Sequence, residues 1–252
     1  MNNEEYVRSI ISKYALSSAP TPAGAAAAQA AYPLIQQWAG KHLLKVSYSG
    51  STAKGTAISG ITDVDLFISL SNDTPENLSD IFQKLAKRFE DSGYTIRRQN
   101  VSIGIKHNGI SLDLVPARKH SGNTGDHSLY RSKARTWTQT NVDTHVRIVT
   151  QSGRLDEIRA LKIWRALHGL EFPSFYLELT VINALYRKQA GQVASNFAAV
   201  LEYLRDSFER AAVTDPANAN NKISDDLSAA EKRAVASAAA TCLQRNWNQV
   251  LW

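Results

Sequence analysis

The chain has 252 residues, 43% hydrophobic and 21% charged, as is usual for a globular protein with one large domain or two small lobes. The net charge of +6 and the isoelectric point near 9.4 favour anionic partners such as nucleotides, nucleic acids or acidic lipids. Cys242 is the only cysteine, which excludes an intramolecular disulfide and a cysteine-rich zinc site, and the six histidines show no HExxH grouping.

The N-terminal region is predicted to hold two helices. Residues 1–16 have the pattern of a short amphipathic helix, and their early charged side chains are unlike a signal peptide. Two prolines within residues 17–22 end this helix, and residues 23–39 form a second one in which Pro33 predicts a kink. The alanine-rich run at residues 25–31 is too short to span a bilayer. We therefore expect a cytoplasmic protein without membrane insertion.

The middle of the chain is predicted to be mostly extended. One helix interrupts it at residues 76–91, where apolar residues recur at helical spacing and Gly93 follows. Asn108-Gly109 is a typical hairpin turn between two of the strands. The predicted strands are residues 45–49, 64–70, 94–98, 102–106 and 110–115.

From residue 143 onward the chain is predicted to be almost entirely helical. The predicted helices are residues 143–152, 154–168, 173–189, 195–212 and 228–249. The fold class is therefore α+β, with a small mixed sheet flanked by helices and then a helical lobe. We place the catalytic lobe at residues 1–140 and the helical lobe, which closes the nucleotide cleft, at residues 141–252.

Two aspartates stand at the start of a predicted strand. Asp63 and Asp65 are two residues apart, so both carboxylates project from the same face. Like charges this close repel each other unless cations lie between them. Hard divalent ions prefer carboxylate oxygens, and a pair of such ions clamps the oxygens of an in-line phosphoryl displacement. The pattern thus predicts two Mg²⁺ (or Mn²⁺) ions per site.

Two further signals accompany this pair. Gly50-Ser51 lies between a strand and a short helix, where free backbone N–H groups and the Ser51 hydroxyl form a seat for phosphate. Asp113 lies within an apolar strand, and a carboxylate in that setting is costly unless it is paired or bound to metal. We expect Asp113 to be the third metal ligand and to activate the attacking hydroxyl.

The segment GSTAKGTAISGITDVDLF, residues 50–67, closely resembles the Gly-Ser…Asp-x-Asp signature of the DNA polymerase β-like nucleotidyltransferases. Its fullest resemblance is to the branch with oligoadenylate synthetases, cGAS/DncV-like synthases and archaeal-type CCA-adding enzymes. The resemblance implies that Gly50 and Ser51 hold the triphosphate and that Asp63, Asp65 and Asp113 form the metal-binding triad.

The resemblance extends over roughly residues 47–226. It implies that Lys162, in ALKIW, contacts the triphosphate, and that Ser174, in PSFYLEL, does so from a helix N-terminus. The segment 215–221, DPANANN, resembles a late loop of the same branch, although its residues are ordinary turn formers. A basic stretch at residues 118–135 is predicted to be either a solvated loop or a binding site for triphosphates, an acceptor or RNA.

Three functions fit this pattern. The preferred one is a synthase that joins NTPs, with ATP expected among them, into a cyclic or short linear oligonucleotide second messenger of the bacterial antiphage type. The second is a template-independent RNA 3′-end nucleotidyltransferase, although CCA-adding enzymes of the archaeal type carry RNA-gripping domains beyond the position of Trp252. The third is a non-catalytic nucleotide or RNA sensor. The pattern is also compatible with an RNA or protein activator, and with a toxin that nucleotidylates a protein or tRNA.

Overall fold

The computed structural model describes residues 1–17, 19–60 and 63–252. Ser18, in the predicted proline-rich break, and Ile61-Thr62, in the Gly-Ser…Asp-x-Asp segment, lie outside the described residues. The α-helices of the described chain are α1 (Asn3–Tyr14), α2 (Pro22–Ala39), α3 (Gly50–Lys54), α4 (Leu78–Asp91), α5 (Val142–Thr150), α6 (Leu155–Leu167), α7 (Ser174–Ala184), α8 (Val193–Asp206) and α9 (Ala229–Cys242). Its strands are β1 (Leu43–Tyr48), β2 (Val64–Leu70), β3 (Arg97–Arg98), β4 (Ile103–His107), β5 (Ile110–Lys119), β6 (His127–Arg131), β7 (Thr136–Thr140), β8 (Thr214–Asp215) and β9 (Asn218–Lys222).

The described chain divides into two compact units. The sheet unit comprises Ser17–Lys54 and Asp63–Val146, and the helical unit comprises Met1–Leu16, Gly55–Thr62 and Arg147–Trp252. This division differs from a single boundary at residue 140, because α1 belongs to the helical unit. The apolar face of α1, with Val7 and Ile11, is buried in the same hydrophobic core as the helices of the C-terminal half.

The sheet unit is built around a seven-stranded mixed sheet. Its main order is β1-β2-β5-β4-β3, and β6 and β7 extend it from the end of β5. Strands β2 and β5 are parallel, and the other pairs are antiparallel. The side chains of Val64, Leu66, Ile68 and Leu70 alternate along β2 and are buried against α2 and α4. The odd-numbered residues of β2 therefore occupy the opposite face.

The helical unit contains α1 and the helices from α6 onward. They pack around a second apolar core whose largest fully buried side chains include Trp164, Tyr176, Phe197 and Phe208. A short antiparallel hairpin, β8–β9, interrupts the helices. None of the helices in the described residues is both long and apolar enough to cross a membrane.

The observed fold confirms the α+β class and corrects two local predictions. The basic stretch at residues 118–135 is not one continuous loop, because β5 continues to Lys119 and β6 occupies His127–Arg131. The β6–β7 hairpin then presents Arg131, Lys133 and Arg135 around its turn, and we call it the basic hairpin. The predicted loop at residues 215–221 is largely the β8–β9 hairpin, in which the buried Asp215 carboxylate accepts hydrogen bonds from Ala217 N and Asn221.

Candidate active site

Asp65 and Asp113 are direct neighbours across two parallel strands. In the register of β2 and β5, Asp65 is paired with Asp113, and the flanking pairs are Val64 with Leu112 and Leu66 with Leu114. All four flanking side chains are buried in the core of the sheet unit. Because side chains alternate along a strand, both carboxylates are turned to the face opposite that core.

Asp63 lies two residues before Asp65 and is the third carboxylate of the predicted triad. It lies immediately before β2, and its side chain is 42% exposed, whereas that of Asp113 is only 14% exposed. Burial raises the pKa of Asp113, and the negative charge of Asp63 raises it further. The Asp63 charge thus acts on the Asp113 carboxylate, and both carboxylates face the same guanidinium group, that of Arg97.

Gly50 lies against the Asp65 carboxylate. Its φ angle is +56°, and a Cβ atom there would lie 1.8 Å from Oδ2 and 2.5 Å from Cγ of Asp65. The Ser49 backbone N–H also donates a hydrogen bond of 2.9 Å to the Asp65 carbonyl oxygen. Ser51 is the second residue of the five-residue helix α3. The Gly-Ser step thus holds its backbone directly beside one carboxylate of the triad.

The Asp113 carboxylate is oriented by a side-chain amide. Gln99 Nε2 donates a hydrogen bond of 2.8 Å to Asp113 Oδ1, and Ser102 Oγ donates one of 3.1 Å to Gln99 Oε1. The nearby charge of Arg97 and these polar contacts act to lower the pKa of Asp113. The raising effects of burial and of Asp63 are larger, so the pKa stays above its usual value. The hydrogen bonds fix the direction of Oδ1.

Arg97 faces two carboxylates of the triad. Its Nη2 lies 3.6 Å from Asp63 Oδ2 and 3.8 Å from Asp113 Oδ1. Gly104 lies below it, since a Cβ at that position would lie 3.2 Å from Arg97 Nε, Asp113 Oδ1 and Gln99 Nε2. The guanidinium group therefore passes over the backbone of Gly104 and reaches two of the three carboxylates.

The donor set fits the predicted metal ions in its chemistry. Three carboxylates provide the hard oxygen ligands that Mg²⁺ and Mn²⁺ prefer, and a cation would relieve the repulsion between Asp63 and Asp113. Among the described residues, no three His, Cys, Asp or Glu side chains are already arranged closely enough to hold an ion. The carboxylates would have to turn towards each other, and the two-ion site stays a prediction.

Lys162 is buried in the core of the helical unit. Its Nζ lies 2.6 Å from Glu178 Oε1 and donates a 2.8 Å hydrogen bond to Thr56 Oγ1, which in turn donates to Glu178 Oε1 at 2.8 Å. All three residues are at most 2% exposed. The predicted contact between Lys162 and a triphosphate stays a prediction, and the structure adds a second role, that of neutralising the buried Glu178.

Ser174 is exposed at the first turn of α7, as the sequence predicts. Its hydroxyl accepts a hydrogen bond of 3.1 Å from Arg165 Nη1, which also donates to the Phe172 carbonyl oxygen. The sheet unit thus brings together Gly50, Ser51, Asp63, Asp65 and Asp113, whereas Lys162 and Ser174 belong to the helical unit.

Comparison with known proteins identifies similar sequences and folds. No family model matches the chain. The chain is 24% identical over 154 residues to the cyclic AMP-AMP-AMP synthase of Escherichia coli strain MS 115-1, an alignment that covers 56% of this chain and 48% of that protein. The chain thus spans about half the length of this curated relative.

Three solved structures share the fold over most of the chain. CdnC of E. coli MS115-1 with ATP has a TM-score of 0.75 and 18% identity, and covers 94% of this chain and 89% of that one. CdnC in complex with HORMA-deltaN has a TM-score of 0.70 and 18% identity, and covers 94% and 88%. The CD-NTase CdnG of Bradyrhizobium diazoefficiens with GTP has a TM-score of 0.76 and 12% identity, and covers 94% and 89%.

The chain has the fold of the cGAS/DncV-like nucleotidyltransferases. The resemblance noted in the Gly-Ser…Asp-x-Asp segment is therefore confirmed. Within this fold, the motif predicts the three aspartates but not Arg97, Gln99 or Gly104. Only Gly104 leaves a sequence signal, because a glycine between two buried isoleucines of a strand indicates a close approach of other atoms.

Proposed function

We propose that this protein is a metal-dependent nucleotidyltransferase that joins NTPs into a cyclic or short linear oligonucleotide second messenger, as in bacterial antiphage-type signalling. The observation that carries the proposal is the register of Asp65 with Asp113, next to Gly50 and preceded by Asp63. The similarity to a cyclic AMP-AMP-AMP synthase supports the class of product.

The proposed reaction is the attack of a ribose hydroxyl of one nucleotide on the α-phosphorus of another. The P–O bond to the β-phosphate breaks, and pyrophosphate leaves with the electron pair of that bond. Asp63, Asp65 and Asp113 would hold the divalent ions, which when bound would neutralise phosphate charge and lower the pKa of the attacking hydroxyl. Asp113, held by Gln99, accepts the hydroxyl proton, and Ser51 with the backbone N–H groups after Gly50 binds the triphosphate.

The substrates we propose are NTPs, with ATP among them. Two neighbours in fold, CdnC and CdnG, were solved with ATP and with GTP, which supports nucleoside triphosphates as a class. The complex of CdnC with HORMA-deltaN supports a protein partner for this chain, and we propose that such a partner acts as an activator.

A second candidate function rests on the basic hairpin. Lys133 and Arg135 are exposed, and the Trp137 side chain beside them is 58% exposed. Cations and an exposed aromatic ring are the side chains that bind single-stranded nucleic acid. RNA 3′-end extension therefore remains the alternative for the same catalytic chemistry.

The test is incubation of the full chain with all four NTPs and Mg²⁺ or Mn²⁺, followed by mass spectrometry of the products. We expect an oligonucleotide product without any primer. Asp63→Asn and Asp65→Asn should abolish it while the fold stays intact, because each keeps the size of the side chain and removes one charge of the triad.

The matched control is Asp91→Asn, which removes an exposed carboxylate paired with Lys87. This variant should retain full activity. If the double variant at positions 63 and 65 kept its rate within about tenfold of the wild type, the assignment of these carboxylates to phosphoryl transfer would be wrong.

A further inference from the structure

Arg97 occupies an unusual place for an exposed arginine. Its side chain is 67% exposed, yet it extends towards two carboxylates that face away from the core. It has no other ion pair within the described residues of the sheet unit. Its neighbour Arg98 makes an ordinary ion pair with Glu90 at 3.0 Å.

The register of three strands places Arg97 there. Arg97 on β3 pairs with Gly104 on β4, and Gly104 pairs with Asp113 on β5. Because Gly104 has no side chain, the guanidinium group lies over this backbone and reaches past it to Asp113. Any larger residue at position 104 would contact both Arg97 Nε and the carboxylate.

The contacts are electrostatic rather than hydrogen-bonded. Distances of 3.6 Å and 3.8 Å are too long for hydrogen bonds, and a single guanidinium nitrogen faces both carboxylates. Such an exposed cation is held weakly and is free to move. An open cavity of about 760 Å³, lined by Tyr94, Lys106 and His107 as well as Arg97, lies beside it and has room for the displaced side chain.

We propose that Arg97 is a built-in counter-cation of the carboxylate triad, which divalent ions must displace when they bind. The inference rests on the proposed function, since it assumes that the triad holds metal. Arg97 partly neutralises Asp63 and Asp113 in the metal-free protein and so reduces the repulsion between them before an ion arrives. The same positive charge opposes the incoming ion. Arg97 is thus a residue that sets the metal affinity of the site without being a metal ligand.

The test is a titration of the full chain with Mn²⁺, in which the electron paramagnetic resonance signal of the free ion measures how much of it is bound. Arg97→Gln should tighten Mn²⁺ binding by roughly tenfold, the effect expected when one positive charge a few ångströms from a divalent ion is removed in a solvated site. Arg97→Lys, which keeps the charge, should stay near the wild type. The matched control Arg98→Gln should leave the affinity unchanged.

A second measurement concerns the metal-free protein. Without Arg97 the Asp63 and Asp113 carboxylates lose the guanidinium group that faces them, so Arg97→Gln should lower Tm in the presence of chelator. It should also show a larger rise in Tm on addition of Mn²⁺ than the wild type. Both changes should be absent in Arg98→Gln.

The outcomes separate this inference from the proposed function. If Asp65→Asn abolishes Mn²⁺ binding but Arg97→Gln binds as the wild type does, or more weakly, Arg97 is not a competitor and only the inference is wrong. If Asp65→Asn still binds Mn²⁺ normally, the ion lies elsewhere, and the metal site of the proposed function is wrong as well.

Discussion

Gly50 meets two requirements that only glycine satisfies. It adopts φ +56°, and its Cα faces Asp65 so closely that an added methyl group would lie 1.8 Å from Oδ2. Gly50→Ala should therefore force the Asp65 carboxylate out of place. A displacement of about 1 Å in an active site costs on the order of 100-fold in rate, and we expect a loss of at least this size in NTP turnover.

The control for this prediction is Gly93→Ala. Gly93 also has a positive φ, +85°, but no atom lies within 4 Å of a Cβ built on it. Gly93→Ala should lose only a small amount of stability, because an alanine in this backbone region is strained by about 1–2 kcal/mol. Gly50→Ala should lose more, because its methyl group also overlaps the Asp65 carboxylate. Only Gly50→Ala should lose activity. Equal activity of the two variants would show that the contact with Asp65 is unimportant.

The sequence predicts the residues of the triad because their signals are local. The spacing of Asp63 and Asp65, and the apolar neighbours of Asp113, each point to a carboxylate on the exposed face of a strand. Arg97 and Gln99 carry no such signal. Their positions depend on how β3, β4 and β5 are aligned, and the sequence does not show that alignment.

At the scale of elements, α6 and α7 are joined by a buried ion pair. Lys162 on α6 and Glu178 on α7 are 2.6 Å apart, and Thr56 bonds to both. Removing one partner of a buried pair deprives the other of its nearest counter-charge, which typically costs about 3–5 kcal/mol. Lys162→Ala should lower the free energy of unfolding by an amount of this order, measured by urea denaturation.

Lys87→Ala is the matched control, since Lys87 forms an exposed ion pair with Asp91 at 2.8 Å. Exposed pairs contribute about 1 kcal/mol or less, so this variant should remain close to the wild type. If Lys162→Ala kept its stability but lost affinity for a non-hydrolysable NTP, Lys162 would act as the triphosphate contact that the family resemblance implies. Loss of stability would support the structural role.

Regular apolar periodicity made most of the elements predictable. The β2 strand lies at the predicted residues 64–70, and the turn at Asn108 and Gly109 has the positive φ angles of a two-residue hairpin. The β6–β7 hairpin was not predicted, because its strands are short and carry basic and polar residues. They form because they pair with the end of β5, which is a tertiary cause.

At the scale of the whole molecule, an excess of basic residues must be reconciled with the proposed substrates. The chain has 29 Lys and Arg residues against 23 Asp and Glu. Three of the basic residues lie on the basic hairpin, at positions 131, 133 and 135. This charge would attract both nucleotides and RNA. The two ligands differ in the number of phosphates that contact the protein, and hence in how strongly salt weakens their binding.

This difference in salt dependence distinguishes the two candidate functions. If free NTPs are both donor and acceptor, primer-free synthesis should continue when Arg131, Lys133 and Arg135 are replaced by Gln, and added RNA should not change the product. If RNA is the acceptor, labelled RNA should grow into a ladder, and its binding should weaken steeply with salt. The triple variant should then reduce the log–log salt slope by about two units, since each lost phosphate contact on a single strand contributes about 0.7. The control replaces three exposed basic residues of the helical unit, Lys13, Lys188 and Arg233, and changes the net charge equally. A ladder on RNA without any free oligonucleotide, together with a slope reduced only by the hairpin variant, would overturn the proposed second-messenger synthase in favour of RNA extension.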